Sequence, residues 1–418
     1  MRFIALLFIA LQASGATWYV SSTGVGDGTL GSPGGLSNAV TPVGWATNIV
    51  AGDTVYLRGG TYEQGTNLWQ FGIDGTVGNL ITWRAYTGES PKIDGPLRFG
   101  SNKHHRFWGI EFFDSHKNEW AGLTNPWLHI DNSGSATSYF EWINCVFHDV
   151  HNCFSGTTGG ALVRGCIFWY VGQTAAEHVV YPYCQNVTGN IGTWTSGEFI
   201  ESGTTNIIVR SNIFFGEGVT IANNSGSEVV IGYPSTVEHN SFCEQKYETI
   251  GLWFNAGSAG VTCVSNVIAA PFYPFKVEEA WGLITFPSND VSSYTAYPTN
   301  SLDLVKVYKN DDESRRAHIA VFNWASNDTV SVSLSGVLSA GDTYQLISAQ
   351  NYAAGAIQTG AYNGTSISVP MTNLTVASVL YGTNVAGTVT SPRFAAFVLL
   401  GQAPAMRSFP FRVTRNNQ

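Results

Sequence analysis

Charge is what this sequence has least of. Only 12% of its 418 residues are Asp, Glu, Lys or Arg, about half the usual share of a globular chain. That scarcity excludes a long coiled coil, a solvated disordered chain and a basic nucleic-acid track, all of which need more charge. The remaining balance is acidic, -9 at neutral pH, which again argues against DNA or RNA as a partner. Long apolar runs are missing as well. Beyond the first residues no stretch is long enough to cross a bilayer, so the mature chain is expected to be soluble and to have no membrane partner. Six cysteines are present, but there is no Cys-x-x-Cys pair and no zinc-finger alternation of His with Cys. No structural zinc and no other metal ligand set is assigned from the sequence.

What is abundant is glycine (46) and aromatic residues, with 24 Phe, 18 Tyr and 13 Trp. With few helix formers beside them, these point to a mostly β chain. The first residues read as a secretory signal over 1–16. Arg2 supplies the positive start, residues 3–11 the apolar centre, and Ser14-Gly15-Ala16 the small-residue cleavage site. A secreted or periplasmic location follows, and the six cysteines suit an oxidising compartment without proving any bridge.

Between about 106 and 270 the sequence repeats loosely. Phe140-Glu-Trp-Ile-Asn-Cys-Val-Phe147 is echoed by Ala161-Leu-Val-Arg-Gly-Cys-Ile-Phe168, by Ile207-Ile-Val-Arg-Ser-Asn-Ile-Phe214 and by Ser235-Thr-Val-Glu-His-Asn-Ser-Phe242. Gly260-Val-Thr-Cys-Val-Ser-Asn-Val-Ile268 keeps the rhythm. Variable spacing with a constant local pattern is the mark of a β-solenoid carrying insertions. In register, Asn212, Asn240 and Asn266 share one corner position with Cys145 and Cys166. Phe147, Phe168, Phe214, Phe242 and Ile268 form an inward apolar column. After 300, alternating runs at 318–324, 329–334, 343–348, 366–370 and 393–400 read as half-buried antiparallel strands of a β-sandwich.

The Gly-bounded strands near the N-terminus, followed by Asn/Phe-punctuated coils, resemble the right-handed parallel β-helix proteins of the pectin-lyase-like superfamily. The fold class implied is all-β, a right-handed parallel β-helix followed by a small antiparallel β-sandwich. The boundaries read as signal 1–16, β-helix 17–275, linker 276–300, sandwich 301–401 and tail 402–418. The resemblance implies a secreted carbohydrate-active protein with a polysaccharide as its partner, and it covers lyases, hydrolases, epimerases and non-catalytic adhesins.

Coils stacked about 4.8 Å apart can set two carboxylates at the separations glycoside hydrolysis requires. Acidic candidates gather in the middle coils. Glu177-His178 precede Tyr181-Pro-Tyr183, Glu198 and Glu201 flank Phe199-Ile200, and Glu217 sits between glycines. A hydrolase would draw its acid and its nucleophile or base from Glu177, Glu198, Glu201 and Glu217, with His178, Tyr181 and Tyr183 orienting the sugar. Trp194 and Trp253 offer flat faces for stacking. A lyase would instead need a base and a cation facing a uronate carboxylate, for which Arg210 and Lys246 are the candidates. No cofactor is assigned. The resemblance implies calcium if the chain is a lyase, yet no run of clustered Asp ligands is visible. A non-catalytic glycan-binding β-helix is the third reading. His148-Asp149-Val-His151 reads as a surface turn, since His148 and His151 would face opposite ways on a strand. Arg164 and Arg210 read as solvated arms.

Overall fold

Short runs such as Thr54–Leu57 and Ile81–Ala85 alternate buried and half-buried residues and end at turns, the pattern of strands with one face on a core. They pair in parallel, each strand with its equivalent in the next coil, to give a 12-stranded and a 10-stranded sheet plus two short three-stranded ones. The computed structural model describes residues 15–63, 67–99, 104–116, 130–131, 139–150, 153, 160–171, 184–194, 200, 207–215, 219–222, 235–243, 250–253, 261–270, 275–278, 284–285, 288, 290–293, 303–380, 387 and 389–404. Residues 1–14, most of the expected signal, lie outside that set. The chain divides into two units, Met1–Pro298 with Ser378–Thr388, and Thr299–Ala377 with Val389–Gln418.

The first unit is a parallel β-helix. Register along the 12-stranded sheet aligns Val55, Trp83, Phe107, Trp142, Val163, Val187, Val209, Val237 and Cys263 in one inward column. All are buried. On the 10-stranded sheet the facing column runs Tyr62, Ile93, Phe112, Phe147, Phe168, Gly192, Phe214, Phe242 and Ile268. Phe107 lies flat on Trp142 at 4.4 Å and Phe147 on Phe168 at 5.1 Å. The phenylalanine column expected from sequence is therefore present, broken once by Gly192.

The corner between the two large sheets is made the same way in six successive coils. Asn144, Gly165, Gly189, Ser211, His239 and Ser265 all take positive φ there, the left-handed kink that turns the chain from one sheet to the next. The residue after each kink points inward. In the later coils it is asparagine, and Asn190, Asn212, Asn240 and Asn266 form a buried ladder. The Oδ1 of Asn212, Asn240 and Asn266 each accepts the backbone N–H and the Nδ2–H of the asparagine one coil earlier, at 2.8–3.0 Å. Each Nδ2 also donates to a strand carbonyl at 2.8–2.9 Å. Cys166 continues the ladder by donating its N–H to Asn190. Cys145, Cys153, Cys166, Cys243 and Cys263 are buried and carry no disulfide, so Cys145 and Cys166 stack without a bridge.

Residues expected as a linker carry a further coil instead. Phe275–Glu278, Ile284–Thr285 and Asp290–Ser293 pair in parallel with strands of the preceding coil. Their Pro/Ser-rich composition concealed an alternation too short to read.

At the N-terminal end, buried Asp53 accepts from the Ala16 N–H at 2.7 Å, the Trp18 Nε1–H at 2.9 Å and the Val50 N–H at 3.0 Å. Asp53→Ala leaves the Trp18 and Val50 donors to find water, whether or not the leader is removed. It is expected to cost about 2–4 kcal/mol, read as a lowered thermal midpoint.

The second unit is an antiparallel sandwich. A five-stranded sheet orders Leu304–Lys309, Arg316–Phe322, Phe394–Gln402, Thr343–Ser348 and Ala356–Ala361, and Thr329–Ser333 pairs with Ser366–Pro370. Alternate residues of both sheets meet in a shared core that includes Ile319, Val321, Val332, Leu346, Val369 and Phe397.

Candidate functional site

Most of the outer face of the 10-stranded sheet is as apolar as its inner face. Strand Ile167–Val171 is buried at every residue, as a strand covered on both sides must be. Three neighbouring coils depart from that rule. Pro91–Asp94 turns Lys92 and Asp94 outward, Glu111–Phe113 does the same with Glu111, and Val146–Val150 with His148. Register sets Lys92 beside Glu111, and Asp94, Phe113, His148 and Trp169 in one row.

These charges form a connected chain. The Lys92 Nζ donates to Glu111 Oε1 at 2.8 Å, and His148 Nε2 reaches the same oxygen at 3.1 Å. On the other side of its ring, His148 Nδ1 lies 2.8 Å from Asp149 Oδ2. Asp149 takes positive φ and accepts a second bond from the Leu380 N–H at 2.9 Å. The imidazole is clamped between Phe113, at 5.3 Å, and Trp169, at 4.5 Å, with all three planes nearly parallel. Burial by itself would lower the His148 pKa, but the bonds to Asp149 and Glu111 outweigh it and raise the value above 6.5. Glu111 shows the mirror case. Burial would raise it, while bonds from His148 and Lys92 bring it below the usual carboxylate value. A carboxylate oxygen faces each ring nitrogen, the surroundings that suit an imidazolium donating from both, a form that aromatic faces also favour. The expected surface turn is corrected here. His148 and Asp149 are buried because two carboxylates and two rings close around the imidazole; His151 lies outside the described residues.

The pH dependence follows from those directions. Glu111 contributes stability fully above its unfolded value of 4.5 and loses it as pH falls through the lowered native value. His148 contributes fully below its unfolded value of 6.5 and loses it as pH rises through the raised native value. The stability gap between wild type and His148→Gln is therefore expected to be widest between pH 4.5 and 6.5 and to narrow in alkaline buffer, measurable in paired melts. A gap that widens with pH would contradict the charged imidazole.

Beside this chain lies a second group. Asp94, Asp114 and His116 bring one ligand atom each within 4.8 Å of one another. Asp94 accepts from the Ser115 N–H at 2.9 Å and from the Ser115 hydroxyl at 2.5 Å. The Ser115 hydroxyl has one proton, already given to Asp94, so at its 3.1 Å contact with His116 Nδ1 the ring must donate. That tautomer leaves the lone pair of His116 on Nε2. The His116 side chain is 26% exposed and Lys92 39%, whereas Asp94 is 3%. The two carboxylates serve as supports, and the imidazole and the ammonium are the parts a ligand can reach.

Calcium, which the resemblance implied for a lyase, takes six to eight oxygens. A donor set of two carboxylates already engaged by local N–H and O–H groups, plus an imidazole nitrogen, does not match that demand.

Of the residues expected from sequence, Glu177, His178, Tyr181, Tyr183, Glu198, Glu201, Glu217 and Lys246 lie outside the described residues. Trp253 ends strand Ile250–Trp253, in register with Ala222 and Glu278. Trp194 is 5% exposed and stacked on Tyr170 at 5.3 Å, so its ring is packing rather than an open sugar platform. Arg210 sits on the 12-stranded sheet with a 45% exposed side chain, 4.0 Å from Glu238, a solvated arm rather than a base. Lys92, Asp94, Glu111, Asp114 and His116 were missed. Their signal was Lys92-Ile-Asp94 and Glu111-Phe-Phe-Asp114, charges on the outward positions or at the ends of strands in a chain otherwise poor in charge.

No family model matches the chain. Over 93 residues it is 44% identical to pectate lyase PEL9 of Emericella nidulans, a stretch covering 22% of this chain and 21% of that protein. The chain thus spans about a fifth of the length of the curated relative it matches. Among solved structures, a GH136 lacto-N-biosidase from Eubacterium ramulus aligns with 67% of this chain and 68% of its own at 14% identity and a TM-score of 0.38. Pectate lyase Pel9A aligns with 67% and 79% at 15% identity and a TM-score of 0.35. At those scores the fold rests on the strand pairing described above.

Proposed function

We propose that this chain is a polysaccharide-degrading enzyme that cleaves a uronate-containing glycan by β-elimination. The observation that carries the reading is the pairing of a reachable ammonium with an oriented imidazole over a single strand. Lys92 and Asp94 are two residues apart on one face, about 6.6 Å along the strand, and His116 folds back to place Nδ1 4.0 Å from Asp94. In this reading Lys92 faces the uronate carboxylate and stabilises the charge that develops as the adjacent C–H proton leaves. His116 Nε2 takes that proton, its tautomer held by Ser115 and Asp94. The electron pair forms the new double bond as the C–O bond to the leaving sugar breaks. The local identity with a pectate lyase supports the same substrate class, and the polysaccharide would be met outside the cell if residues 1–16 act as a leader.

Incubation with polygalacturonate tests this directly. Elimination gives unsaturated ends that absorb in the ultraviolet, in step with new reducing ends. Reducing ends without absorbance would replace this reading by hydrolysis and move attention to Glu198, Glu201 and Glu217. Neither product, across a panel of acidic glycans, would leave a glycan-binding protein.

A further inference from the structure

We propose that the outer face of the 12-stranded sheet, over its first four coils, is a binding surface for an acidic polysaccharide. It stands on that face alone and does not rest on the roles given to Lys92 and His116. Register places Tyr19, Tyr56, Arg84 and Trp108 in one outward row. Tyr86, the residue after strand Ile81–Ala85, closes a three-ring cluster. Tyr19 and Tyr56 stack at 5.7 Å, and Tyr86 meets them edge-on at 6.0 and 5.9 Å. None of these rings is fully buried, and among the described residues none of the three hydroxyls has a hydrogen-bond partner. Half-open rings with unspent hydroxyls suit sugars, which offer C–H faces to stack and hydroxyl edges to bond.

The charges around the rings are sorted into one that is spent and one that is not. Arg58 covers Tyr86 at 4.8 Å, but its guanidinium is held by Glu89 through bonds of 2.7–2.9 Å. It fixes Tyr86 and has no charge to spare. Arg84 lies 4.1 Å over the Trp108 ring, and among the described residues it has no carboxylate partner. A guanidinium over an aromatic ring can still be taken by a carboxylate in two parallel bonds. Aromatic platforms with one unpaired, oriented guanidinium beside them fit a sugar chain that carries carboxylates. A nucleic acid would require several such cations, and this chain is acidic overall at -9.

The test is native affinity electrophoresis in gels holding polygalacturonate, fully methyl-esterified polygalacturonate or no polysaccharide, each gel assayed afterwards for new reducing ends so that turnover is accounted for. Retardation is expected to be strongest with the acidic polymer. Arg84→Gln is expected to weaken the apparent affinity for it roughly tenfold and to erase the preference over the ester. Tyr56→Ala is expected to weaken binding to both polymers. Arg84→Gln removes only a surface arm, so it decides the matter if Tyr56→Ala proves unstable in melts. Mobility of Arg84→Gln identical to that of its parent, or no retardation by polygalacturonate, overturns the proposal. Retention through Arg84 in a chain that cleaves nothing keeps this surface and removes the lyase reading. Cleavage without retention does the reverse.

Discussion

Replacing Lys92 with methionine is expected to lower turnover of polygalacturonate by roughly 10²–10³-fold, the usual loss when one preorganised electrostatic partner of the transition state is removed. Methionine keeps most of the side-chain length and packing, and the lysine head is 39% exposed, so folding should change little. The deficit should fall mainly on kcat, because charge builds on the substrate carboxylate only as the proton leaves. Lys92→Arg should recover part of the activity, since charge is kept while the point geometry is not. His116→Gln is expected to lose about 10²–10⁴-fold, the range for a positioned base. Unchanged ultraviolet product formation in both variants would take the chemistry away from strand Pro91–Asp94 altogether.

How much of this was legible beforehand differs between scaffold and site, for a physical reason. Inward columns repeat in every coil, so Phe147, Phe168, Phe214 and Phe242 announced themselves by spacing alone. The ladder was readable wherever Asn precedes a β-branched or polar residue and then Phe, as at Asn212 and Asn240. Asn190 escaped because Gly192 stands where the phenylalanine should be. The site has no such repetition. Lys92, Glu111 and His148 become neighbours only when register is known, and a one-residue slip would turn each of them inward. Local clusters of glutamate beside glycine drew attention instead, because proximity in sequence is visible and proximity across coils is not. His148-Asp149 was noticed as a motif but misread, since its partners lie on another coil and on Leu380, far along the chain.

The largest stability effect is expected at the middle of the asparagine ladder. Asn212 is fully buried. It gives Nδ2–H bonds to Val187 O and Asn240 Oδ1, and its Oδ1 serves both the N–H and the Nδ2–H of Asn190. Asn212→Ala removes all four side-chain bonds, orphans two donors where water cannot reach, and opens a small void. At about 1–3 kcal/mol for each stranded polar group, with the cavity term added, a loss of about 4–6 kcal/mol is expected, a large part of the stability of an ordinary domain. Asn212→Leu should be no better, because filling the void does nothing for the orphaned donors. A double-mutant cycle separates ladder from packing. If the asparagines act through their shared bonds, Asn190→Ala on top of Asn212→Ala should cost less than the two single changes added together, because each single change strands a partner that the double change also deletes. Strict additivity of the two losses would mean that the ladder contributes volume only, and that the stacked amides are not what locks coil to coil.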